Sequence, residues 1–374
     1  MYVSKDYLLM KANLYNLNKK HKNTYHNLDN NLKELFQNSD FILGKYVEKL
    51  EKKISTYSNS RFVCSVANGT DALIFSLSYL KKVYPNKKKV ITTPLSYLAS
   101  TSSIFLSDLE PVFCDIDDSL NLDCEKLEKL IDKDTLAVLF VHYSGNPTNV
   151  ERVKNICFQN NVELIEDCAQ SFGSQVGDKY SGTFGFSGCV SLHPLKTLSC
   201  AGDGGFIMTQ NQSFFEYLKL ARNHGHINRD DVQFWSFNSR LDSLQAIVTL
   251  LQFDWFKKEL EIRRKQYEIY KSSLEDYFFP RLEKGAQHSL NWLVLLLKNR
   301  AHIQEKLNVA DIETKIHYPK LIYEMQPYKS QKFNLKNFEN AERYSKQILS
   351  VPIGSHLSDD IILFICEQIK KNSD

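Results

Sequence analysis

The chain has no uninterrupted apolar run of membrane-spanning length, no cysteine pair at metal-type or redox-type spacing, and no marked excess of charge of one sign. Each absence excludes something. A helix that crosses a bilayer needs roughly 20 consecutive apolar residues, so a membrane-embedded protein is not expected. Lys5 and Asp6 break up the start of the chain before any apolar stretch can form, so a secretory leader is not expected either. The eight cysteines, at 64, 114, 124, 157, 168, 189, 200 and 366, never form C-x-x-C. Several sit in apolar runs, as buried free thiols do. A chain of 374 residues can build its core without disulfides, and a reducing cytoplasm is the expected setting. With 47 basic and 44 acidic residues the net charge is only +3, too balanced to imply nucleic acid or a membrane surface as partner. Basic clusters are few and short, the clearest being Lys19-Lys20-His21-Lys22 and Lys87-Lys88-Lys89. Internal repeats and low-complexity tracts are absent.

What is present is the composition of a soluble globular enzyme, 43% hydrophobic and 24% charged. Short β-rich runs at 61–66, 90–93, 111–115, 136–142 and 162–166 alternate with helical patterns at 70–82, 97–106 and 150–160. That rhythm predicts βαβ units and a mainly parallel sheet. The continuous apolar run Ala137-Val138-Leu139-Phe140-Val141 fits a strand covered on both faces. A long helical stretch is expected over about 241–277. Beyond it come an apolar strand at 290–297, a helix at 302–307, a strand at 314–318 and helical patterns near 340–349 and 358–370. The expected architecture is α/β, with a large domain at 1–250, including an N-terminal arm, and a smaller α/β domain at 251–374.

In open α/β sheets, ligands lie beyond the carboxyl ends of the strands. Chemistry-bearing residues fall there. Ala67-Asn68-Gly69-Thr70 follows the first strand, Pro94-Leu95-Ser96-Tyr97 the second, and Asp167 the last. Further on, Ser191-Leu192-His193-Pro194-Leu195-Lys196 is followed by Gly202-Asp203-Gly204-Gly205. A lysine after a hydroxyl-bearing turn, with a strand-end carboxylate upstream, is what pyridoxal phosphate (PLP) needs. The amine forms a Schiff base with the aldehyde, and the carboxylate keeps the pyridine nitrogen protonated. Gly69 and Thr70 open a helix whose free N–H groups suit an anion, although Asn and Thr are also ordinary helix caps. Tyr97 could lie on a planar ring or serve as a core aromatic. Ser191 could reach the phosphate.

This constellation resembles the PLP-dependent nucleotide-sugar aminotransferases of the DegT/DnrJ type, with the aspartate-aminotransferase fold (PLP fold type I). The matching stretches begin with Gly44-Lys45-Tyr46-Val47-Glu48, Asn68-Gly69-Thr70-Asp71, Ser96-Tyr97-Leu98-Ala99-Ser100 and Pro111-Val112-Phe113-Cys114-Asp115. They continue with Val141-His142-Tyr143-Ser144-Gly145, Glu166-Asp167-Cys168-Ala169-Gln170 and 191–205. Arg222-Asn223-His224-Gly225, Asn238-Ser239-Arg240-Leu241-Asp242, Ile316-His317-Tyr318-Pro319 and Leu349-Ser350-Val351-Pro352 complete the set. The match runs from about Tyr25 to the end. The lysine segment together with Asp167-x-x-Gln170 is its specific part.

The resemblance implies roles. Lys196 holds PLP and later shuttles the proton, Asp167 pairs with the pyridine nitrogen, Gln170 contacts the ring hydroxyl and Tyr97 stacks on the ring. Gly69, Thr70 and Ser191 hold the phosphate. Asn238 reaches the phosphate in the partner subunit of a homodimer, and Arg240, His317 and Tyr318 lie near the substrate. Because Lys196 is present, and not the histidine of the related dehydratases, transamination is expected. Two departures stand out. Asn68 occupies a position where serine is common, which would remove one phosphate hydroxyl, and Asp203 replaces a glutamate frequent in C4-aminating members, a lean toward C3 amination. The expected reaction moves an amino group from an amino acid, glutamate first, to a ketone on a nucleotide-linked sugar for surface polysaccharide such as capsule. A small phosphorylated ketone such as dihydroxyacetone phosphate is the alternative acceptor, and a non-catalytic regulator on the same fold is the second alternative.

Overall fold

The computed structural model describes residues 11–329 and 338–373. Its centre is a seven-stranded sheet in the order β1-β9-β8-β5-β4-β2-β3. The strands are β1 (Phe62–Val66), β2 (Lys89–Thr92), β3 (Glu110–Phe113), β4 (Thr135–Val141), β5 (Glu163–Asp167), β8 (Ser187–Ser191) and β9 (Gly205–Thr209). Two short strands, β6 (Gln175–Val176) and β7 (Lys179–Tyr180), intervene, and β6 pairs with both β7 and β10 (Ala286–Gln287). Neighbours from β3 to β8 run parallel, while β9 is antiparallel to both β8 and β1. All seven residues of β4 are buried, as expected for a strand with both faces covered.

The helices are α1 (Leu17–Asn38), α2 (Lys45–Ser58), α3 (Gly69–Val83), α4 (Leu98–Leu106), α5 (Cys124–Leu130), α6 (Val150–Gln159), α7 (Gln212–Ala221) and α8 (Ser243–Ser273), followed by α9 (Arg300–Val309), α10 (Gln326–Lys329), α11 (Glu339–Ser345) and α12 (Asp359–Lys371). One face of the sheet packs Phe75, Leu77 and Leu80 of α3 and Phe214 and Leu218 of α7. Elsewhere Leu50 and Ile54 of α2 meet Ala246, Phe253 and Phe256 of α8 beneath Val190 and Phe206. The last turns of α8 enter a separate core, where Tyr270 and Leu274 join Leu293, Leu349, Ile362 and Ile365. Positions 250 and 251 lie in mid-helix. None of the described helices is long and apolar enough to cross a membrane.

Three elements differ from the sequence expectation. The long helix is shorter than 241–277. Asp242 caps its start by accepting from Gln245 N–H at 2.9 Å, and it ends at Ser273 because Leu274 turns extended and buries its side chain. Residues 314–318 form no strand beyond an isolated bridge from Lys315 to Ser350. Helix α11 stops at Ser345, and Ile348–Val351 becomes a strand, β12, antiparallel to β11 (Leu293–Leu296). A short apolar run such as Ile348-Leu349 suits either state until a pairing partner is known.

Candidate active site

Lys196 lies on the connection between β8 and β9. The antiparallel register sets Ser191 opposite Gly205, so the two strands hold both ends of the lysine loop. Within it, Lys196 N–H donates to His193 O at 2.8 Å, and Leu192 O accepts from Cys200 N–H at 2.8 Å. The amine keeps an opening to the cleft, yet protein atoms crowd it closely. That burial lowers its pKa to about 8, against the opposing pull of the Asp167 carboxylate. The ammonium sits 5.6 Å from the centre of the Trp292 ring, close enough for a cation–π contact.

Asp167 closes β5 and is buried. Ser100, in the first turn of α4, donates its hydroxyl to Oδ2 at 2.7 Å, and Ala169 N–H donates to Oδ1 at 3.1 Å. Two donors therefore fix the plane of the carboxylate. Glu166 is fully buried. It accepts from the N–H groups of Gly182, Phe184 and Gly185 and pairs with His142 Nε2 at 2.9 Å. His142, Glu166 and Cys168 bring ligand-type atoms within 4.8 Å of one another. The bonds already made by Glu166 fit a clamp on the 182–185 loop. Gln170 is oriented as well: its Oε1 accepts from Ser144 N–H at 2.6 Å, which assigns the amide and leaves its NH2 group as a donor. Ser144 is backed by His288, whose Nδ1 accepts from Leu290 N–H at 2.8 Å and whose Nε2 lies 3.3 Å from Ser144 Oγ. Burial lowers His288 to about 3, so it is neutral and Nε2 carries the proton.

The loop after β1 supplies the anion end. Among the described residues the N–H groups of Gly69 and Thr70 have no acceptor, as befits the first turn of a helix. Asn68 is the N-cap of α3, its Oδ1 accepting from Asp71 N–H at 2.8 Å. A side chain on Gly69 would bring a Cβ to 2.9 Å from Ser191 Cβ, and one on Gly205 would come within 2.6 Å of the Asn68 carbonyl carbon. The lysine loop and the α3 turn thus meet through glycine. Ser191 Oγ already accepts from His193 N–H at 3.3 Å.

On the open side, Tyr97 is 52% exposed and its ring lies 5.8 Å from that of Tyr318. His317 stacks on Trp292 with ring centres 4.0 Å apart. Its Nδ1 lies 2.8 Å from Ser350 Oγ and its Nε2 3.4 Å from Tyr15 OH. Burial first, then Lys315 and Lys196, lower His317 to about 4, so it is uncharged near neutral pH. Asn238 and Arg240 are not drawn in: Asn238 is exposed and bridged to Asn223, and Arg240 donates to Asn223 Oδ1 at 2.8 Å. Between them Ser239 ties the segment to α3, donating to Asp71 Oδ2 at 2.6 Å.

The family model described as DegT/DnrJ/EryC1/StrS aminotransferase family matches residues 23–370. The chain belongs to that family. It is 30% identical over 344 residues to a pleiotropic regulatory protein of Geobacillus stearothermophilus, with 90% of this chain and 92% of that protein covered. It is also 30% identical over 342 residues to a UDP-2-acetamido-2-deoxy-3-oxo-D-glucuronate aminotransferase of Pseudomonas aeruginosa, covering 91% and 94%. Among solved structures, S. venezuelae DesV in complex with a ketimine intermediate superposes with a TM-score of 0.91 at 23% identity, over 97% of this chain and 99% of that one. A Brucella abortus aminotransferase of the same family superposes with a TM-score of 0.89 at 26% identity, over 97% and 100%. The protein is a PLP-dependent aminotransferase, as its sequence implied.

The residues of this aminotransferase fit the cofactor. The crowded lysine amine feels the charge of a carboxylate held by two donors, the Gln170 amide is fixed three residues beyond that carboxylate, and the anion turn abuts Ser191 at the start of the lysine loop. Sequence reading gave Trp292, Ser100, Ser144, His288, Tyr15 and Lys20 no role. Trp292 lies in an apolar strand pattern and reads as core. Ser100 had a usable signal, since it lies three residues after Tyr97 and so on the same helix face.

Proposed function

We propose that this aminotransferase transfers an amino group, with glutamate as donor, to a 3-keto group on a UDP-linked N-acetylated sugar, in the cytoplasm, for surface-polysaccharide synthesis. The observation that carries the reading is the Lys196–Asp167–Ser100 arrangement beside an anion turn. The choice of acceptor rests on the Pseudomonas aeruginosa relative named for a UDP-linked 3-oxo sugar and on Asp203 in place of glutamate.

PLP, once bound, supplies the electron sink for breaking a bond at the amino-bearing carbon. Lys196 would hold the cofactor and move the proton at that carbon, a task suited to an amine lowered to about 8. Asp167 holds the pyridine nitrogen protonated, with Ser100 and Ala169 fixing its carboxylate. Gln170 donates to the ring hydroxyl, Gly69, Thr70 and Ser191 hold the phosphate, and Tyr97 covers the ring. His317 and Tyr318 meet the acceptor as neutral groups, and Arg240 serves a substrate. A homodimer with composite sites is part of the reading, Asn238 reaching the partner subunit's phosphate. The exposed Ile227, Val232, Trp235 and Phe237 form an apolar stretch beside Asn238 that suits an interface.

The test is an acceptor screen with purified protein, glutamate as donor and mass detection of aminated product. UDP-linked 3-keto sugars are expected to react fastest. Turnover only of 4-keto sugars, or only of dihydroxyacetone phosphate, would overturn the acceptor assignment.

A further inference from the structure

The basic cluster at 19–22 found no use in the reaction, yet one member, half-buried, reaches behind the reactive lysine. Lys20, in the first turn of α1, sends its ammonium to the carbonyls of Pro194, at 3.1 Å, and of Lys196. Neither carbonyl accepts a backbone hydrogen bond among the described residues. Pro194 has no N–H to give the turn, so the loop's own backbone holds it mainly through Lys196 N–H to His193 O at 2.8 Å. Lys20 supplies the opposite side.

A cation is costly at this place for three reasons. Burial disfavours it, the guanidinium of Arg263 repels it, and it stands at the positive end of a helix. Together burial and Arg263 lower Lys20 to about 7, with Glu259 pulling the other way. The facing charges from α8 are Glu259 and Arg263, joined at 2.7 Å. From the lysine loop the titratable neighbours are Cys200, which favours the ammonium, and His193, which burial lowers first, then Lys196 and, least, Lys20. Glu259 Oε2 is buried and unpartnered. A cavity of about 20 Å³ between α1, the lysine loop and α8 is lined by Lys20, Pro194, Leu195, Glu259, Arg263 and His356 among others. An ordinary surface lysine would keep its charge in water. This one is half-buried and bound to the carbonyl of the reactive residue itself.

We propose that Lys20 is a positioning residue for catalysis: by tethering the carbonyls of Pro194 and Lys196 it fixes the turn that aims the Lys196 amine. The proposal rests on Lys196 being the cofactor-bearing lysine. Loss of the tether lets the loop shift and water reach the amine, which relaxes the burial that depresses it. A displacement of about an ångström at a reacting group can cost up to about a hundredfold in rate.

The experiment compares Lys20→Met, Lys20→Arg and Lys19→Met. Lys19 lies in the same turn of α1 but donates to His356 O at 3.2 Å, so its loss frees α1 without touching the lysine loop. Three measurements are made: steady-state kinetics, the spectrum of the bound cofactor against pH, and the pH dependence of reductive methylation at Lys196 in cofactor-free protein, read by peptide mass. Lys20→Met is expected to lower kcat at least about tenfold with acceptor KM changed less than about threefold. It should also move the Lys196 labelling midpoint upward by at least about half a pH unit. Lys20→Arg should recover most of both, and Lys19→Met should match the parent. If Lys20→Met does not fold, judged by thermal melting, Lys20→Gln carries the same comparison. A Lys20 variant with the parent's kcat, spectrum and labelling midpoint overturns the proposal, as does Lys19→Met producing the same changes as Lys20→Met. Borohydride reduction that fixes the pyridoxyl group on a different lysine would instead overturn the Lys196 assignment, whatever the Lys20 variants do.

Discussion

Asp167 illustrates how far a single residue could be read from the sequence. Its place at the end of an apolar strand was visible, and so was its spacing to Gln170. The serine that aims it was legible only as a spacing, three residues after Tyr97, because a hydroxyl in a helix pattern does not show what it bonds. If Asp167 holds the pyridine nitrogen protonated, Asp167→Asn removes a charge poised before the reaction starts. Electrostatic preorganisation of this kind is worth on the order of 3–4 kcal/mol for a single donor, so kcat should fall at least about a hundredfold. Much of the cofactor should stay bound through its phosphate, as measured by absorbance after dialysis. Near-normal turnover would reduce Asp167 to a cap on Ala169. Lys196 gives a pH signature. The neutral amine is the nucleophile, and burial lowers it from 10.5 to about 8. The rate of PLP capture by cofactor-free protein should therefore rise with pH up to about 8 and level off above. Stopped-flow absorbance checks this, and a rate still climbing steeply at pH 10 would mean an unperturbed lysine.

Elements were legible where one period dominated. Strands β1, β4 and β5 and helices α3, α6 and α12 follow their apolar patterns closely. Strands β8 and β9 did not stand out, because Gly188 and the glycines at 202, 204 and 205 hide a pattern that tertiary pairing completes. The consequence is local: the lysine loop reads as an open glycine turn, whereas two antiparallel strands hold it. Gly69 shows what that costs in freedom. A methyl at Gly69 would meet Ser191 Cβ at 2.9 Å, and crowding of this kind costs roughly 1–3 kcal/mol. Gly69→Ala should therefore push the α3 turn and β8 apart and weaken PLP binding by about tenfold or more in Kd. Fluorescence titration with PLP reads this directly, and an unchanged Kd would mean the phosphate sits elsewhere. On α4, Ser100→Ala removes a hydroxyl donor to a buried carboxylate, a loss of about 1.5–3 kcal/mol. Its kcat/KM should drop by about ten- to a hundredfold, less than for Asp167→Asn. A loss equal to that of Asp167→Asn would mean that Ser100 does more than orient it.

At the scale of the whole molecule, the site as folded in one chain is missing two of the residues that the sequence suggested. Asn238 lies in an exposed segment bridged to Asn223, and Trp235 beside it is 95% exposed. A solvent-exposed tryptophan near Ile227, Val232 and Phe237 is a poor end state for a monomer. The resemblance implied a partner-facing role for Asn238, but the residues around Trp235 carry no such sign themselves, because an interface aromatic and a core aromatic look alike in one dimension. A closed twofold dimer would bury that face and bring each Asn238 to the neighbour's phosphate turn. Mixing tests this. Lys196→Ala and Asn238→Ala homodimers should each be weak, since each lacks one group at both sites. After random exchange half of the dimers are mixed, and each mixed dimer has one site with both Lys196 and Asn238 intact. Activity should then recover to about a quarter of the parent level, as two equivalent sites per dimer require. Confirmed exchange between two impaired parents with no recovery would mean that Asn238 serves its own chain, and the exposed 227–237 segment would need another partner.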